Sequence, residues 1–148
     1  MYFAILMKKA DAAHDIIIYE RNGPDDTFGW GVVFSGRTLN NLRDADDASH
    51  AEITRDFEAW DNVDVVHRDE KISIHGNSFS GIARIRLLKI LQRRCEDLGI
   101  EIRFRTEIND RDSLQSDADL LIGADGVNST IRQTFADKFK PDLEHAAK

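Results

Sequence analysis

Glu20 closes the apolar run Ile16-Ile17-Ile18-Tyr19. A carboxylate at the C-terminal end of a parallel strand can accept hydrogens from two adjacent hydroxyls, which is how a dinucleotide's ribose is held. The plainer reading is a solvated strand end, the ordinary place for a glutamate. A second candidate spans Asp119 to Arg132. There Leu120-Leu121-Ile122 runs into Gly123-Ala124-Asp125-Gly126 and then into a helix start beginning at Ser129. A helix start leaves backbone N–H groups unpaired and aimed at any nearby anion. Gly123 and Gly126 permit close approach, Asp125 can accept from hydroxyls, and Arg132 can pair with phosphate. Against this stands a strand–helix turn that needs glycine only for its geometry. Asn128-Ser129-Thr130 also spells a glycosylation acceptor, read here as coincidence because nothing resembles a secretion signal.

The elements that must position these groups read as follows. Phe3, Leu6 and Met7 recur at helical spacing, with Lys8 and Lys9 suited to a last turn. Ile16 to Tyr19 is a β-branched run expected to be a strand buried on both faces of a parallel sheet. Arg21 to Asp26 is a turn and loop cluster. Thr27 to Phe34 is rich in glycine and aromatics. Thr38 to Leu42 opens a helix, and Ala51 to Trp60 is expected to form another, with Ile53, Phe57 and Trp60 on one face. Val63 to His67 and Lys71 to His75 are two short strands, and Gly76-Asn77-Ser78 breaks the pattern. Ile82 to Leu98 is the strongest helix, striped by Ile85, Leu88, Leu91 and Cys95 and capped by Gly99. Ile100 to Phe104 alternates as a strand. The polar stretch Asn109 to Ser116 leads to Leu120–Ile122, expected to be a third buried strand, and Ser129 to Phe135 is helical. Helices between apolar strands predict an α/β layer architecture with a largely parallel sheet. The 148 residues suffice for one domain, expected over 1–148, with an excursion at about 27–80 and a fraying tail at about 141–148.

A formal net charge of −7 argues against nucleic acid as a partner, since an acidic surface repels phosphate. The basic residues between Arg84 and Arg94 fall on one helix and fit a solvated face. Cys95 is the only cysteine, so neither a disulfide framework nor a thiolate metal cluster is expected, and no metal site is assigned. The first residues lack the order of a signal peptide, and no stretch has the length of a membrane span, so a cytoplasmic location is expected. His14, His50, His67, His75 and His145 are scattered, and no acid, base or nucleophile is assigned.

Asp125-Gly126 with Ser129 and Arg132 after an apolar strand resembles the Asp-Gly motif of the FAD-dependent aromatic monooxygenases, the flavoproteins similar to p-hydroxybenzoate hydroxylase. Tyr19-Glu20-Arg21 resembles that family's second strand, and Arg84, Leu87 and Leu91 its Arg-x-x-Leu-x-x-x-Leu helix. The wording of Tyr19 to Phe34 and of Gly81 to Leu91 is similar to the aryl-CoA branch. The resemblance implies a Rossmann-like FAD-binding domain with a parallel sheet and a small β-containing excursion. It implies that Glu20, with Arg21 beside it, meets the adenosine ribose and Arg84 the ribityl–phosphate region. Gly123, Asp125, Gly126, Ser129 and Arg132 would lie near the pyrophosphate and the nicotinamide. FAD would be the cofactor, NAD(P)H the reductant, and an aromatic acyl-CoA the substrate hydroxylated with O2.

The sequence departs from the family's pattern in one respect. It contains no Gly-x-Gly-x-x-Gly, so the first strand and its phosphate loop are expected to be missing, and FAD binding by the chain alone is expected to be weak or nil. Two further readings stay open. One is a flavin-dependent oxidoreductase that does not use oxygen; the other is a non-catalytic remnant. Oligomeric state is not legible.

Overall fold

In a computed structural model the described residues are 1–76, 78–108 and 117–142. The chain divides into two compact units, Met1–Glu107 and Ile108–Lys148. The first unit contains most of the secondary structure. Its elements are α1 (Tyr2–Ala10), β1 (Ile17–Glu20), β2 (Gly31–Ser35), α2 (Gly36–Ala45), α3 (Asp47–Arg55), β3 (Glu58–Trp60), β4 (Val63–His67), β5 (Glu70–Ile74), β6 (Phe79–Ala83), α4 (Arg84–Asp97) and β7 (Glu101–Phe104).

Three separate sheets form among the described residues. β1 and β7 pair in parallel, with Glu20 opposite Phe104 at their C-terminal ends. β2, β6 and β3 form an antiparallel sheet with β6 in the middle. β4 and β5 form an antiparallel hairpin exposed along its whole length. The architecture is therefore mixed α/β with more antiparallel than parallel pairing, where a largely parallel sheet was expected.

Helix α4 joins the two packed regions of this unit. One core contains Ala4, Ile5, Cys95 and Ile100, with Ile18, Leu91 and Ile102 against it. The other contains Ile53, Ile82 and Ile90, flanked by Val32, Phe34 and Leu87. On α4, Cys95 serves the first core and Ile90 the second. The helix ends at Gly99, whose φ of +70° is the left-handed conformation that glycine adopts without strain. Ile100 N–H donates back to Cys95 O at 2.9 Å, which turns the chain directly into β7.

Four expectations need correction. Trp60 and Glu58 lie in β3, so the helix predicted to run to Trp60 stops at Arg55. Ile82 and Ala83 belong to β6, and α4 starts at Arg84. The preference of that segment for a ladder with β2 and β3 overrides its helical periodicity. β1 is only half-buried, with Ile17 at 38% exposure, because the helices cover one side of the β1–β7 pair. Leu120–Ile122 forms no strand, and all three residues are exposed. An apolar run becomes a strand only where a neighbour completes its hydrogen bonds, and no described strand pairs with it. The expected polar stretch at 109–116, residue 77 and residues 143–148 lie outside the described residues.

Burial closes Cys95 off completely and pushes its thiol above the ordinary value. A thiol-specific reagent is therefore expected to titrate no group in the native chain and one group in denaturant. Rapid labelling of the native chain would contradict this packing. No helix among the described residues is long and apolar enough to cross a membrane.

Candidate functional site

At the C-terminal ends of β1 and β7 the chain turns into the loop that begins at Arg21. Glu20 Oε1 accepts from both Asn22 N–H and Asn22 Nδ2 at 2.8 Å, which bends the backbone sharply out of the sheet. Asp26 accepts from Gly23 N–H at 2.7 Å, and Gln92 of α4 donates its side-chain amide to Pro24 O at 2.9 Å. Lys89 adds an ion pair to Asp25. The loop is thus tied to α4 by side chains, and Arg105 N–H donating to Asn22 O ties it to the end of β7.

Between loop and helix lies a cleft of about 130 Å³, lined among others by Glu20, Asp26, Thr27, Arg84, Leu88 and Gln92. It brings together two of the residues singled out from the sequence, Glu20 and Arg84. Arg84 opens α4, and its backbone N–H donates to Trp30 O at 3.0 Å, so the helix start is fixed to the turn before β2. Arg21 is exposed in the loop and does not line the cleft. Such a volume is below the several hundred Å³ of a site that encloses a whole small ligand. It suits a sugar-sized group. Glu20 keeps its second carboxylate oxygen without a hydrogen bond among the described residues, and Thr27 Oγ1 is buried there with no partner. Both are polar atoms suited to a hydroxylated ligand, so the residues present fit the ribose of a dinucleotide.

The second unit contains the other predicted residues, on α5 (Thr130–Thr134) and the turn before it, followed by α6 (Ala136–Phe139). Asp125 Oδ2 accepts from Thr130 N–H at 2.7 Å, Thr130 Oγ1 at 3.0 Å and Ile131 N–H at 3.2 Å. The Ser129 hydroxyl first, then these donors, holds its carboxyl far below the usual carboxylate range, outweighing the opposing effect of burial. Ser129 itself caps α5, accepting from Arg132 N–H at 2.9 Å. The Arg132 guanidinium donates to Val127 O. These three side chains knit the turn together. Gly126 takes φ +81°, and a Cβ at Gly123 would stand 2.9 Å from Ile131 Cδ1, so each glycine also has a local reason to be there.

Sequence reasoning passed over Asn22, Thr27 and Gln92. Gln92 carried a signal: it follows Leu88 by four and precedes Cys95 by three, an amide on an apolar stripe, and it is buried. It also passed over Asp46, which N-caps α3 and is 1% exposed. Asp46 accepts from Arg94 Nη2 at 2.9 Å, Lys9 Nζ at 2.9 Å and Ser49 Oγ at 2.6 Å, joining α1, α3 and α4. Burial alone would raise that carboxyl, but the Arg94, Lys9 and Ser49 donors win and hold it well below the usual range.

No family model matches the chain. It is 37% identical over 147 residues to salicyloyl-CoA 5-hydroxylase of Streptomyces sp, covering 99% of this chain and 28% of that protein. It is 31% identical over 139 residues to 3-hydroxy-4-methyl-anthranilyl-[aryl-carrier protein] 5-monooxygenase of Streptosporangium sibiricum, covering 94% of this chain and 38% of the relative. The chain is a partial homologue of these monooxygenases. It spans between about a quarter and two fifths of their length. Among solved structures, a variant of PqsL from P. aeruginosa superposes with TM-score 0.74 at 18% identity, over 99% of this chain and 44% of that one. An oxygenase of 2-methyl-3-hydroxypyridine-5-carboxylic acid superposes with TM-score 0.62 at 17% identity, over 72% of this chain and 28% of the other. At such identities the superpositions establish likeness of fold. The sequence matches agree with the family resemblance read from the residues.

Proposed function

We propose that this chain is the FAD-binding portion of a flavoprotein monooxygenase that hydroxylates an aromatic acyl thioester, with NAD(P)H as reductant and O2 as co-substrate. The observation that carries the reading is the meeting of Glu20 and Arg84 in one sugar-sized cleft at the C-terminal end of a parallel strand pair. Strand ends of this kind are where doubly wound sheets bind nucleotides. Homology along nearly the whole chain to an aryl-CoA hydroxylase and an aryl-carrier monooxygenase supports the substrate class.

In this reading Glu20 accepts from ribose hydroxyls through the oxygen that Asn22 leaves unused. Arg84 supplies positive charge for a phosphate, and Arg21 extends that field at the rim. The turn from Gly123 to Ser129 offers close backbone approach, with Gly126 shaping it and Arg132 available once its contact to Val127 O yields. FAD, when bound, supplies the redox chemistry that protein side chains lack. The residues of this chain bind and orient it, and none is assigned as acid, base or nucleophile.

A chimera tests this. With this chain in place of the matching segment of the Streptomyces hydroxylase, oxidation of NAD(P)H is expected to depend on an aryl-CoA, and Glu20→Ala is expected to weaken FAD retention about tenfold, as for loss of hydrogen bonds to a charged group. A folded chimera that keeps flavin equally well with Glu20→Ala would remove the cleft from the cofactor site. One that retains flavin yet oxidises NAD(P)H without regard to aryl-CoA would exclude the substrate class.

A further inference from the structure

The cleft between the loop and α4 contains a polar atom that the packing does not use. Thr27 Oγ1 is closed off from solvent and has no hydrogen-bond partner among the described residues. Buried polar atoms are nearly always paired, because an unpaired one forfeits its hydration. Valine has nearly the same shape and would fill the position without that cost, so the hydroxyl has no structural task here.

The other neutral polar side chains of the cleft already hold hydrogen bonds. Gln92 gives its amide to Pro24 O, and Asn22 gives its amide to Glu20. Glu20 and Asp26 are carboxylates, and Arg84 is the one cationic side chain of the lining. A phosphate or sugar oxygen entering between two carboxylates needs a neutral donor beside Arg84. Thr27 has the only side-chain hydroxyl in the lining, and it is the one neutral polar side chain there without any hydrogen bond among the described residues. Its oxygen is hidden, so the part of the residue that the cleft meets is the rest of the side chain. One staggered step about χ1 exchanges hydroxyl and methyl.

We propose that Thr27 is a ligand-binding residue of this cleft, whose hydroxyl turns outward to donate to a ribose–phosphate oxygen of a nucleotide. The inference rests on the cofactor-cleft reading above and adds to it a residue and a conformational step. The orphaned oxygen is relieved when ligand arrives, so binding is favoured without any change in the backbone.

The test uses the chain itself, isotope-labelled and titrated with ADP, beside Thr27→Val and Thr27→Ser. In the wild type, ADP at millimolar concentration is expected to shift the amide signals of Glu20, Thr27 and Arg84. Thr27→Val is expected to weaken ADP about tenfold, the effect of one hydrogen bond to a charged oxygen, and Thr27→Ser to restore affinity to within about twofold. The thermal midpoint of Thr27→Val is expected to equal or exceed that of the wild type. Wild-type ADP affinity in Thr27→Val would overturn the proposal while leaving the cleft as a nucleotide site. A lowered midpoint in Thr27→Val that serine restores would show a structural hydroxyl and also overturn it. Absence of any ADP response in the folded wild type would overturn the cleft reading and this inference together.

Discussion

Asp46→Ala is expected to lower the unfolding free energy by about 3 kcal/mol, read from urea denaturation at neutral pH. Removing one member of a buried ion pair costs about 3–5 kcal/mol because the partners lose their counter-charge. The lower end applies here, since Lys9 and Arg94 reach solvent at 35% and 22% exposure while Asp46 does not. Three helices lose a common anchor in that one change. The same residue gives stability a pH dependence. Its folded-state carboxyl lies below the ordinary range, so its contribution is complete above about pH 4, the usual aspartate value, and is lost as the pH falls through the folded-state value. Asp46→Asn is therefore expected to differ most from the wild type at neutral pH and least in acid. A difference that stays constant down to pH 2 would mean that the charge of Asp46 contributes nothing.

Ile53→Ala is expected to cost about 2–5 kcal/mol, the range for emptying a closed aliphatic site. Ile53 is 1% exposed and packs with Ile82 of β6 and Ile90 of α4. Ile5→Ala, in the other core, is expected to cost a similar amount. Because α4 has residues in both cores, each substitution is expected to shift a single cooperative transition of Met1–Glu107. Circular dichroism and tryptophan emission should then move together. Two separated transitions in either variant would show that α4 does not couple the cores.

How far the sequence reveals this molecule depends on where the signal is local. The helix ended by Gly99, the hairpin of β4 and β5, and β7 were legible because periodicity and turn residues act over a few positions. Phe79–Ala83 was not. Phe-Ser-Gly-Ile-Ala merges into the helical pattern of α4, and its strand character comes from β2 and β3 on either side. Leu120–Ile122 erred in the opposite direction, since an apolar run states a preference but cannot supply a ladder partner. For the candidate site, Glu20 and Arg84 were legible as residue types in a family pattern. Their meeting in one cleft depends on contacts from loop to helix, such as Gln92 to Pro24, that span 68 positions. Asp46 was hidden for the same reason: its partners Lys9 and Arg94 lie far away in sequence on both sides.

The turn from the cleft to the antiparallel sheet passes through Trp30, which is 97% exposed, while Trp60 stacks against Phe79 at a centroid distance of 6.1 Å. These are the two indoles of the chain. One is bathed in water and fastened by its backbone carbonyl to the first residue of α4; the other lies against a ring. Trp60 is itself 41% exposed, so a soluble quencher is expected to reach both indoles, and Trp30 the more readily. The protein has an optical gauge at the junction between its cleft and its sheet, without any label.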